Sequence, residues 1–182
     1  MTLTLRPAHD EELAAVGALT LDAYAADGFV GPESPYASEL RDAASRAREA
    51  ELYVAVGEDG GLIGTVTYCP AGSSYQEVAG PGEGEFRMLA VSPAARRRGV
   101  AEAMVRLCVE RSEELGYDAV VLSSMPNQQA AHRVYARLGF RRTPERDWKP
   151  RPEIDLLAFR LDLTRPADRP GTGTGRGPRP PG

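Results

Sequence analysis

Hydrophobic and polar residues alternate in several short stretches of this 182-residue chain, a pattern typical of β-strands with one buried face. Glycine-rich segments separate some of these stretches, and Gly-Glu-Asp-Gly-Gly at 57–61 predicts a hairpin. The run 119–122 is apolar at every position, which favours a strand buried on both faces. The predicted strands cover 2–6, 52–56, 62–69, 85–91, 118–123, 140–143 and 154–163, with loops expected at 70–84 and 144–153.

A period of 3.6 residues replaces the alternation in four other segments, which are therefore predicted to be helices. They cover 10–26, 37–50, 100–115 and 127–139, and Gly116 and Gly139 are placed to end the last two. The helix from residue 100 joins the strands 85–91 and 118–123. A helix between neighbouring strands makes them parallel, so the sequence predicts one right-handed βαβ crossover.

Composition fits a soluble globular protein with a sizeable core, because the chain is 42% hydrophobic and carries a net charge of −4. That charge disfavours a nucleic-acid binder. No apolar run approaches the length of a membrane span, and the first twelve residues lack the apolar segment of a signal peptide. Two cysteines, Cys69 and Cys108, and two histidines lack metal-ligand spacing. We therefore expect a cytoplasmic protein with reduced thiols and no metal.

The segment 164–182 differs from the rest of the chain. Ten of its 19 residues are proline or glycine, and none is a large apolar residue. Such a segment buries too little surface to offset the entropy of ordering it, so we expect a folded domain at 1–163 followed by a disordered tail.

The stretch 85–101 reads as a strand, a tight turn and the start of a helix. Phe86, Met88 and Ala90 are expected on one face of the strand, and Leu89 and Val91 on the other. The turn contains three arginines, Arg96, Arg97 and Arg98, followed by Gly99, where a ligand could approach the backbone closely. A helix N-terminus and arginines both bind phosphate, so the stretch predicts a pyrophosphate cradle. A solvated basic turn explains these residues equally well.

Two segments resemble the signatures of one family, the GNAT superfamily of acyl-CoA-dependent N-acyltransferases. Arg-Arg-Arg-Gly-Val-Ala at 96–101 is similar to its Q/R-x-x-G-x-G/A signature, with Arg96 in place of the commoner glutamine and Ala101 in place of glycine. N-x-x-A-x-x-x-V-Y-x-x-x-G-F at 127–140 resembles its second signature. The resemblance implies a single-domain α/β (α+β) fold, with a mixed, mostly antiparallel sheet of about seven strands and about four helices.

The same resemblance implies acetyl-CoA as the co-substrate and assigns residues to it. The backbone of Leu89 and Val91 would pair with the pantetheine arm, and the Val91 amide would donate to the thioester oxygen. Asn127 would contact the arm, and by its type and place it is also a good helix N-cap. The residues expected to hold the diphosphate are Arg96, Arg97, Arg98, Gly99, Val100 and Ala101.

The resemblance also implies two catalytic residues. Glu85 takes the place of a glutamate general base, although a strand-end glutamate facing solvent would also fit this position. Tyr135 matches the general acid that returns a proton to the coenzyme sulfur, where an apolar helix face alone would favour core packing. His132, one turn before Tyr135, is a reserve base that we expect to be exposed.

These residues predict an N-acetyltransferase that transfers acetyl from acetyl-CoA to a primary amine of a small molecule or protein. A catalytically silent acyl-CoA-binding module would keep the cradle without needing Glu85 or Tyr135. The acidic charge balance disfavours an enzyme acting on aminoacyl-tRNA. Ten acidic residues and three arginines between His9 and Glu51 either attract a cationic acceptor or form solvated helix faces. We expect no nucleic-acid or membrane partner, and a homodimer stays open.

Overall fold

The computed structural model describes residues 3–31 and 33–163, which form eight strands and five helices. The strands are β1 (Thr4–Pro7), β2 (Glu51–Val56), β3 (Leu62–Cys69), β4 (Glu83–Val91), β5 (Ala119–Ser124), β6 (Arg141–Arg142), β7 (Trp148–Arg151) and β8 (Ile154–Asp162). The helices are α1 (Leu13–Ala26), α2 (Pro35–Arg41), α3 (Ala43–Glu49), α4 (Val100–Glu114) and α5 (Gln129–Arg137). The predicted disordered tail, 164–182, lies outside the described residues.

The strands lie in the order β1-β2-β3-β4-β5-β8-β6, and β7 pairs with β8 beside them. Among the described residues, β4 and β5 form the parallel pair, and the other pairs are antiparallel. Helices α1 and α3 pack on one face of the sheet with α2 against α1, while α4 and α5 form the other side. This confirms the mixed, mostly antiparallel α/β fold with one βαβ crossover.

The predictions for two segments are wrong, and in both the sequence predicts fewer elements than the structure contains. The helix expected at 37–50 is two helices, because the Asp42 carboxylate accepts hydrogen bonds from the Ser45 N–H at 2.9 Å and the Ser45 hydroxyl at 2.7 Å. This N-cap starts α3 afresh. The loop expected at 144–153 contains β7, whose Trp148 pairs with Leu156 and whose Arg151 pairs with Ile154. Because this short edge hairpin carries many charged side chains, its sequence shows no clear alternation of hydrophobic and polar residues.

A β-bulge in β4 overturns the predicted division of its side chains. Thr67 pairs with Arg87 and Thr65 pairs with Ala90, so one residue of β3 faces two residues of β4. Met88 has a φ of 52°, outside the extended region. A bulge of this kind moves the following residues to the opposite face.

The two faces of β4 therefore differ from the sequence expectation. Phe86 packs in the core under α4 and α5, with Leu89 and Val91 beside it. Met88 and Ala90 pack in the core beneath α1 and α2. Phe86 is thus on the opposite face from Met88 and Ala90, whereas strict alternation grouped the three together.

Strands β4 and β5 pair over a short distance and then separate. Their register runs from Glu83 opposite Ala119 to Glu85 opposite Val121, and no pair of the described residues extends it. Beyond that point β5 continues in its ladder with β8, as far as Ser124 opposite Leu157. The edge of β4 from the bulge to Val91 is consequently open on the β5 side.

The central strand β5 is buried on both faces, as its apolar run predicted. Ala119, Val120, Val121 and Leu122 are all at most 2% exposed. Helix α4 ends beside Gly116, whose φ is 72°, and α5 ends beside Gly139, whose φ is 91°. Both predicted glycine helix ends are confirmed.

Candidate active site

The opening that borders the predicted site, which we call the main cavity, lies where β4 and β5 separate. Its volume is about 650 Å³. The β4 edge, the turn before α4, the end of α1 and the start of α5 line it, including Leu89, Val91, Arg96, Arg97, Gly99, Val100, Ala101 and Asn127. Eight of the nine predicted coenzyme-binding residues therefore border one space, although they come from segments about 40 residues apart in sequence.

The turn before α4 has a backbone shaped to present N–H groups. Arg97 has a φ of 59° and Gly99 a φ of 79°, both in the left-handed region. A Cβ placed on Gly99 would meet no atom within 4 Å, so the space in front of this backbone is open. Helix α4 starts at Val100, and the first N–H groups of a helix lack intrahelical partners. The turn combines these donors with the positive end of a helix dipole.

The three arginines of the turn have different surroundings. Arg96 donates to both carboxylate oxygens of Asp27, at 2.7 and 3.0 Å, which ties the turn to the end of α1. Arg97 lines the main cavity, whereas Arg98 is exposed and is not among the lining residues. Arg96 and Arg97 both line the main cavity, but only Arg96 is paired with Asp27.

Asn127 lines the main cavity but does not cap α5 as the sequence suggested. Helix α5 begins at Gln129, and Gln128 takes the N-cap position. The Gln128 Oε1 atom accepts hydrogen bonds from the Met125 N–H at 2.9 Å and the Ser124 hydroxyl at 2.7 Å, so the Gln128 side chain orders this turn. The Asn127 side chain is left exposed at the cavity wall.

Tyr135 lies next to the main cavity in a cluster of aromatic rings. Its ring centroid is 5.9 Å from those of Phe86 and Phe140 and 5.6 Å from that of Phe159. The residue is 5% exposed, and burial raises the pKa of its phenol well above the ordinary value. It therefore stays protonated near neutral pH, as a proton donor must.

Glu85 is fully buried and holds the loop that precedes β4. Its Oε2 atom accepts hydrogen bonds from three consecutive backbone N–H groups, those of Glu77, Val78 and Ala79, at 2.9, 3.0 and 3.0 Å. Its Oε1 atom is buried and makes no hydrogen bond with the described residues. Burial raises the pKa of this carboxyl, while the three N–H groups oppose the rise. The interpretation of Glu85 as a solvent-facing strand end is wrong.

His132 is half-buried, contrary to the exposure expected for it. Its ring centroid lies 4.9 Å from that of Phe159, and its Nε2 atom is 3.1 Å from the Ser124 hydroxyl. Burial lowers the pKa of the imidazole, and hydrogen bonding to the Met125 backbone acts against that shift.

A second opening, the side pocket, lies on the α1–α3 face of the sheet and has a volume of about 570 Å³. It is lined by Glu39, Ser45, Arg48, Glu49, Ser74, Tyr75, Glu77 and Arg87. The Arg87 Nη2 atom lies 2.7 Å from a Glu77 carboxylate oxygen and 3.4 Å from one of Glu39. Burial raises the pKa of Glu77 to about 7. Sequence reasoning missed this pocket, because its residues come from α2, α3, a loop and β4 and form no local pattern.

The acidic residues between His9 and Glu51 do not act as one surface. Several are engaged by neighbouring groups: Glu12 with Arg6, Asp27 with Arg96, Asp42 with Ser45 and Glu51 with Arg111. Glu39 and Glu49 instead line the side pocket. These residues are therefore divided between local pairs and the side pocket, and the first group forms neither a free acidic rim nor a set of unpaired helix faces.

Within 3–31 and 33–163, no helix is both long and apolar enough to cross a membrane. The same residues contain no group of three histidine, cysteine, aspartate or glutamate side chains arranged for a metal ion.

Comparison with known proteins identifies the family to which this chain belongs. The model of the acetyltransferase (GNAT) family matches residues 18–140. An uncharacterized N-acetyltransferase of Schizosaccharomyces pombe is 30% identical over 114 residues, which are 63% of this chain and 64% of that protein. N-acetyltransferase 8 of Rattus norvegicus is 35% identical over 110 residues, 60% of this chain and 46% of that protein. The chain thus spans less than two thirds of these relatives' lengths.

Solved structures show the same fold at lower sequence identity. A GNAT-family acetyltransferase of Staphylococcus aureus Mu50 superposes with a TM-score of 0.71 at 11% identity, covering 90% of this chain and all of that one. A GCN5-related N-acetyltransferase of Kribbella flavida gives a TM-score of 0.65 at 22% identity, covering 88% of this chain and 98% of that one.

The fold is therefore that of an acetyltransferase domain. The chain belongs to the GNAT family of acetyltransferases.

Proposed function

We propose that this protein transfers the acetyl group of acetyl-CoA to a primary amine of a small molecule or protein. The observation that carries the proposal is the main cavity, which joins the open edge of β4 to the N-terminal turn of α4. A pantetheine arm needs backbone partners, and a diphosphate needs N–H donors and positive charge. Both sets of groups line one space of about 650 Å³.

The coenzyme contacts follow from the positions of these residues. The N–H groups at Gly99, Val100 and Ala101 and the Arg97 guanidinium would hold the diphosphate, with Arg96 and Arg98 adding positive charge. Leu89 and Val91 would pair with the pantetheine arm along the open strand edge, with Asn127 on the opposite wall. The Val91 N–H would donate to the thioester oxygen and stabilise the charge that develops there.

Direct attack needs two proton transfers. The amine nitrogen forms a bond to the thioester carbon, and the carbon–sulfur bond breaks. The amine proton passes to Glu85, and the departing thiolate takes the proton of Tyr135. Support for Glu85 comes from its burial, its raised pKa and the unpartnered Oε1 atom, which a water molecule must connect to the amine.

One observation favours the alternative of a catalytically silent acyl-CoA-binding module. The Oε2 atom of Glu85 is saturated by three N–H groups, so this carboxylate has a structural task that would persist without catalysis. The coenzyme cavity does not depend on that task.

A screen of amines with acetyl-CoA, monitored by coenzyme release, tests the proposal, with calorimetry of acetyl-CoA binding run in parallel. Turnover with at least one primary amine is the expected result. Binding without turnover on any amine would support the silent module, and no heat of binding would refute both.

We further propose a cytoplasmic protein that acts without nucleic acid, and we leave the homodimer for size-exclusion chromatography to decide. The buried free thiols Cys69 and Cys108 fit a reducing compartment.

A further inference from the structure

Tyr24 is a second tyrosine at this site, outside both family signatures. It lies on α1, is 9% exposed, and lines the main cavity together with Leu89, Ala90 and Val91. Tyr135, in contrast, is not among the residues that line this cavity. The phenol that borders the open edge of β4 is therefore the one supplied by α1.

The packing of Tyr24 fixes its ring. Its centroid lies 6.2 Å from that of Phe29 and 6.3 Å from that of Tyr36, both in edge-on arrangements. Its ring belongs to the core that contains Met88 and Ala90, the two β4 residues that the bulge turns toward α1. The bulge thus brings the open strand edge and this phenol together.

Gln128 lines the main cavity together with Tyr24. The Gln128 Oε1 atom accepts from the Met125 N–H, a donor whose identity is fixed, so the side-chain NH₂ group must point the other way. Burial raises the pKa of the Tyr24 phenol, so this hydroxyl keeps its proton near neutral pH. The Tyr24 hydroxyl makes no hydrogen bond within 3–31 and 33–163, so its proton is free for an acceptor in the main cavity.

Further hydrogen bonds fix the position of the Gln128 side chain. The Ser124 hydroxyl donates to Gln128 Oε1 at 2.7 Å, and the His132 Nε2 atom lies 3.1 Å from the same hydroxyl. Within 3–31 and 33–163, the Tyr24 hydroxyl has no hydrogen-bond acceptor. A ligand oxygen in the main cavity would supply one.

We propose that Tyr24 is a catalytic residue whose hydroxyl donates a hydrogen bond to the acetyl oxygen of the bound thioester. This inference rests on the proposed function. Tyr24 would act beside the Val91 N–H as a second donor to the negative charge that forms on this oxygen during attack. No proton is transferred by Tyr24, and the leaving thiolate is still protonated by Tyr135.

The test compares Tyr24→Phe with the matched control Tyr36→Phe, whose ring contacts Tyr24 but does not line the main cavity. Loss of one such donor should lower kcat about 10²-fold in Tyr24→Phe, while the acetyl-CoA dissociation constant stays within about threefold. Tyr36→Phe should keep kcat near the wild-type value. Equal kcat for the wild type and Tyr24→Phe, or equal losses in both variants, would overturn the inference.

A second measurement separates this inference from the proposed function, because it needs binding and no turnover. Infrared difference spectra with acetyl-CoA labelled with ¹³C at the thioester carbonyl report hydrogen bonding at that oxygen. The carbonyl band should move to higher frequency in Tyr24→Phe and stay unchanged in Tyr36→Phe. An unmoved band in Tyr24→Phe would refute the role of Tyr24 even if no amine is acetylated. A moved band without turnover would refute only the proposed function.

Discussion

The main cavity and the side pocket differ in the groups from which they are built. Backbone makes the main cavity: an unpaired strand edge, a left-handed turn and the first N–H groups of a helix. Charged side chains from separate elements make the side pocket, where Arg87 meets Glu39 and Glu77. Backbone geometry suits a co-substrate shared by a whole family, whereas side chains can change from one protein to the next. We therefore expect the main cavity to tolerate few backbone changes and the side pocket to control properties peculiar to this protein.

The largest effect is expected at Tyr135, where a single side chain decides the chemistry of the main cavity. Tyr135→Phe removes a hydroxyl that makes no hydrogen bond within 3–31 and 33–163, and it leaves the ring among Phe86, Phe140 and Phe159. We expect kcat to fall at least about 10²-fold, with acetyl-CoA affinity nearly unchanged. Steady-state kinetics and calorimetry measure the two quantities.

Tyr117→Phe is the control for this prediction, because the Tyr117 hydroxyl accepts from the Ala71 N–H at 2.8 Å, on another part of the sheet. Parallel losses of kcat and coenzyme affinity in Tyr135→Phe would contradict the assigned role of Tyr135.

The second prediction tests whether backbone shape builds the main cavity. Gly99 and Gly60 both have a φ of 79°, and a Cβ on either would meet no atom within 4 Å. Alanine at either position should therefore cost about 1–2 kcal/mol of stability through backbone strain alone. Gly99→Ala should also weaken acetyl-CoA binding by about 5- to 30-fold, because the turn relaxes away from the geometry that holds the diphosphate.

Gly60→Ala, in the β2–β3 turn, should leave coenzyme binding unchanged. Thermal unfolding and calorimetry on both variants measure the two effects. If both variants bound acetyl-CoA like the wild type, side chains rather than backbone would dominate the main cavity.

The third prediction concerns the side pocket and its dependence on pH. The folded pKa of Glu77, about 7, lies above the ordinary glutamate value, so its contribution to stability is complete at low pH and is lost as the pH rises through 7. Glu77→Gln removes this titration. Between pH 5 and pH 8 the free energy of unfolding of the wild type should fall by on the order of 1–3 kcal/mol more than that of the variant.

Urea unfolding at the two pH values measures this difference. Glu110→Gln, on the exposed face of α4, should follow the wild-type pH dependence. Identical slopes for the wild type and Glu77→Gln would mean that Arg87 keeps Glu77 ionised throughout this range.

The smallest effect is expected at Asp27, whose side chain lines the main cavity and pairs with Arg96. Asp27→Asn weakens the ion pair with Arg96 and frees that guanidinium for the coenzyme. Because half-exposed pairs are worth about 0.2–1 kcal/mol, acetyl-CoA affinity should rise by at most about fivefold. Asp22→Asn, exposed on the same helix and outside the main cavity, should change nothing. Weaker binding by Asp27→Asn would show that the Arg96–Asp27 pair shapes the turn.

The parts of the molecule that could be predicted from sequence are those encoded by contiguous residues. The turn at 96–101 and the helix end at Gly139–Phe140 each lie within a few residues, so their geometry follows from local steric preferences. The βαβ crossover was predictable for the same reason, since one helix and its two strands occupy a continuous segment.

Other features depend on contacts that are distant in the chain. The bulge at Met88 is visible only in the pairing with β3, and the strand sequence alone shows ordinary alternation. Tyr24 and Gln128 line the same cavity although more than 100 residues separate them in sequence, and the side pocket draws on four segments. The break at Asp42 was available in principle, because aspartate followed three residues later by serine is a common helix start.

The bulge in β4 also means that the opening of the main cavity depends on the number of residues in that strand. With Met88 deleted, Leu89 would follow Arg87 in plain alternation, so the residues on both sides of the deletion would keep their faces and their pairing with β3. Leu89 and Val91 would stay on the face of Phe86, and an uninterrupted ladder would draw the strand edge back against its neighbour. The shortened protein would keep all its other hydrophobic residues, so it could still be compact while having no entrance for a thioester.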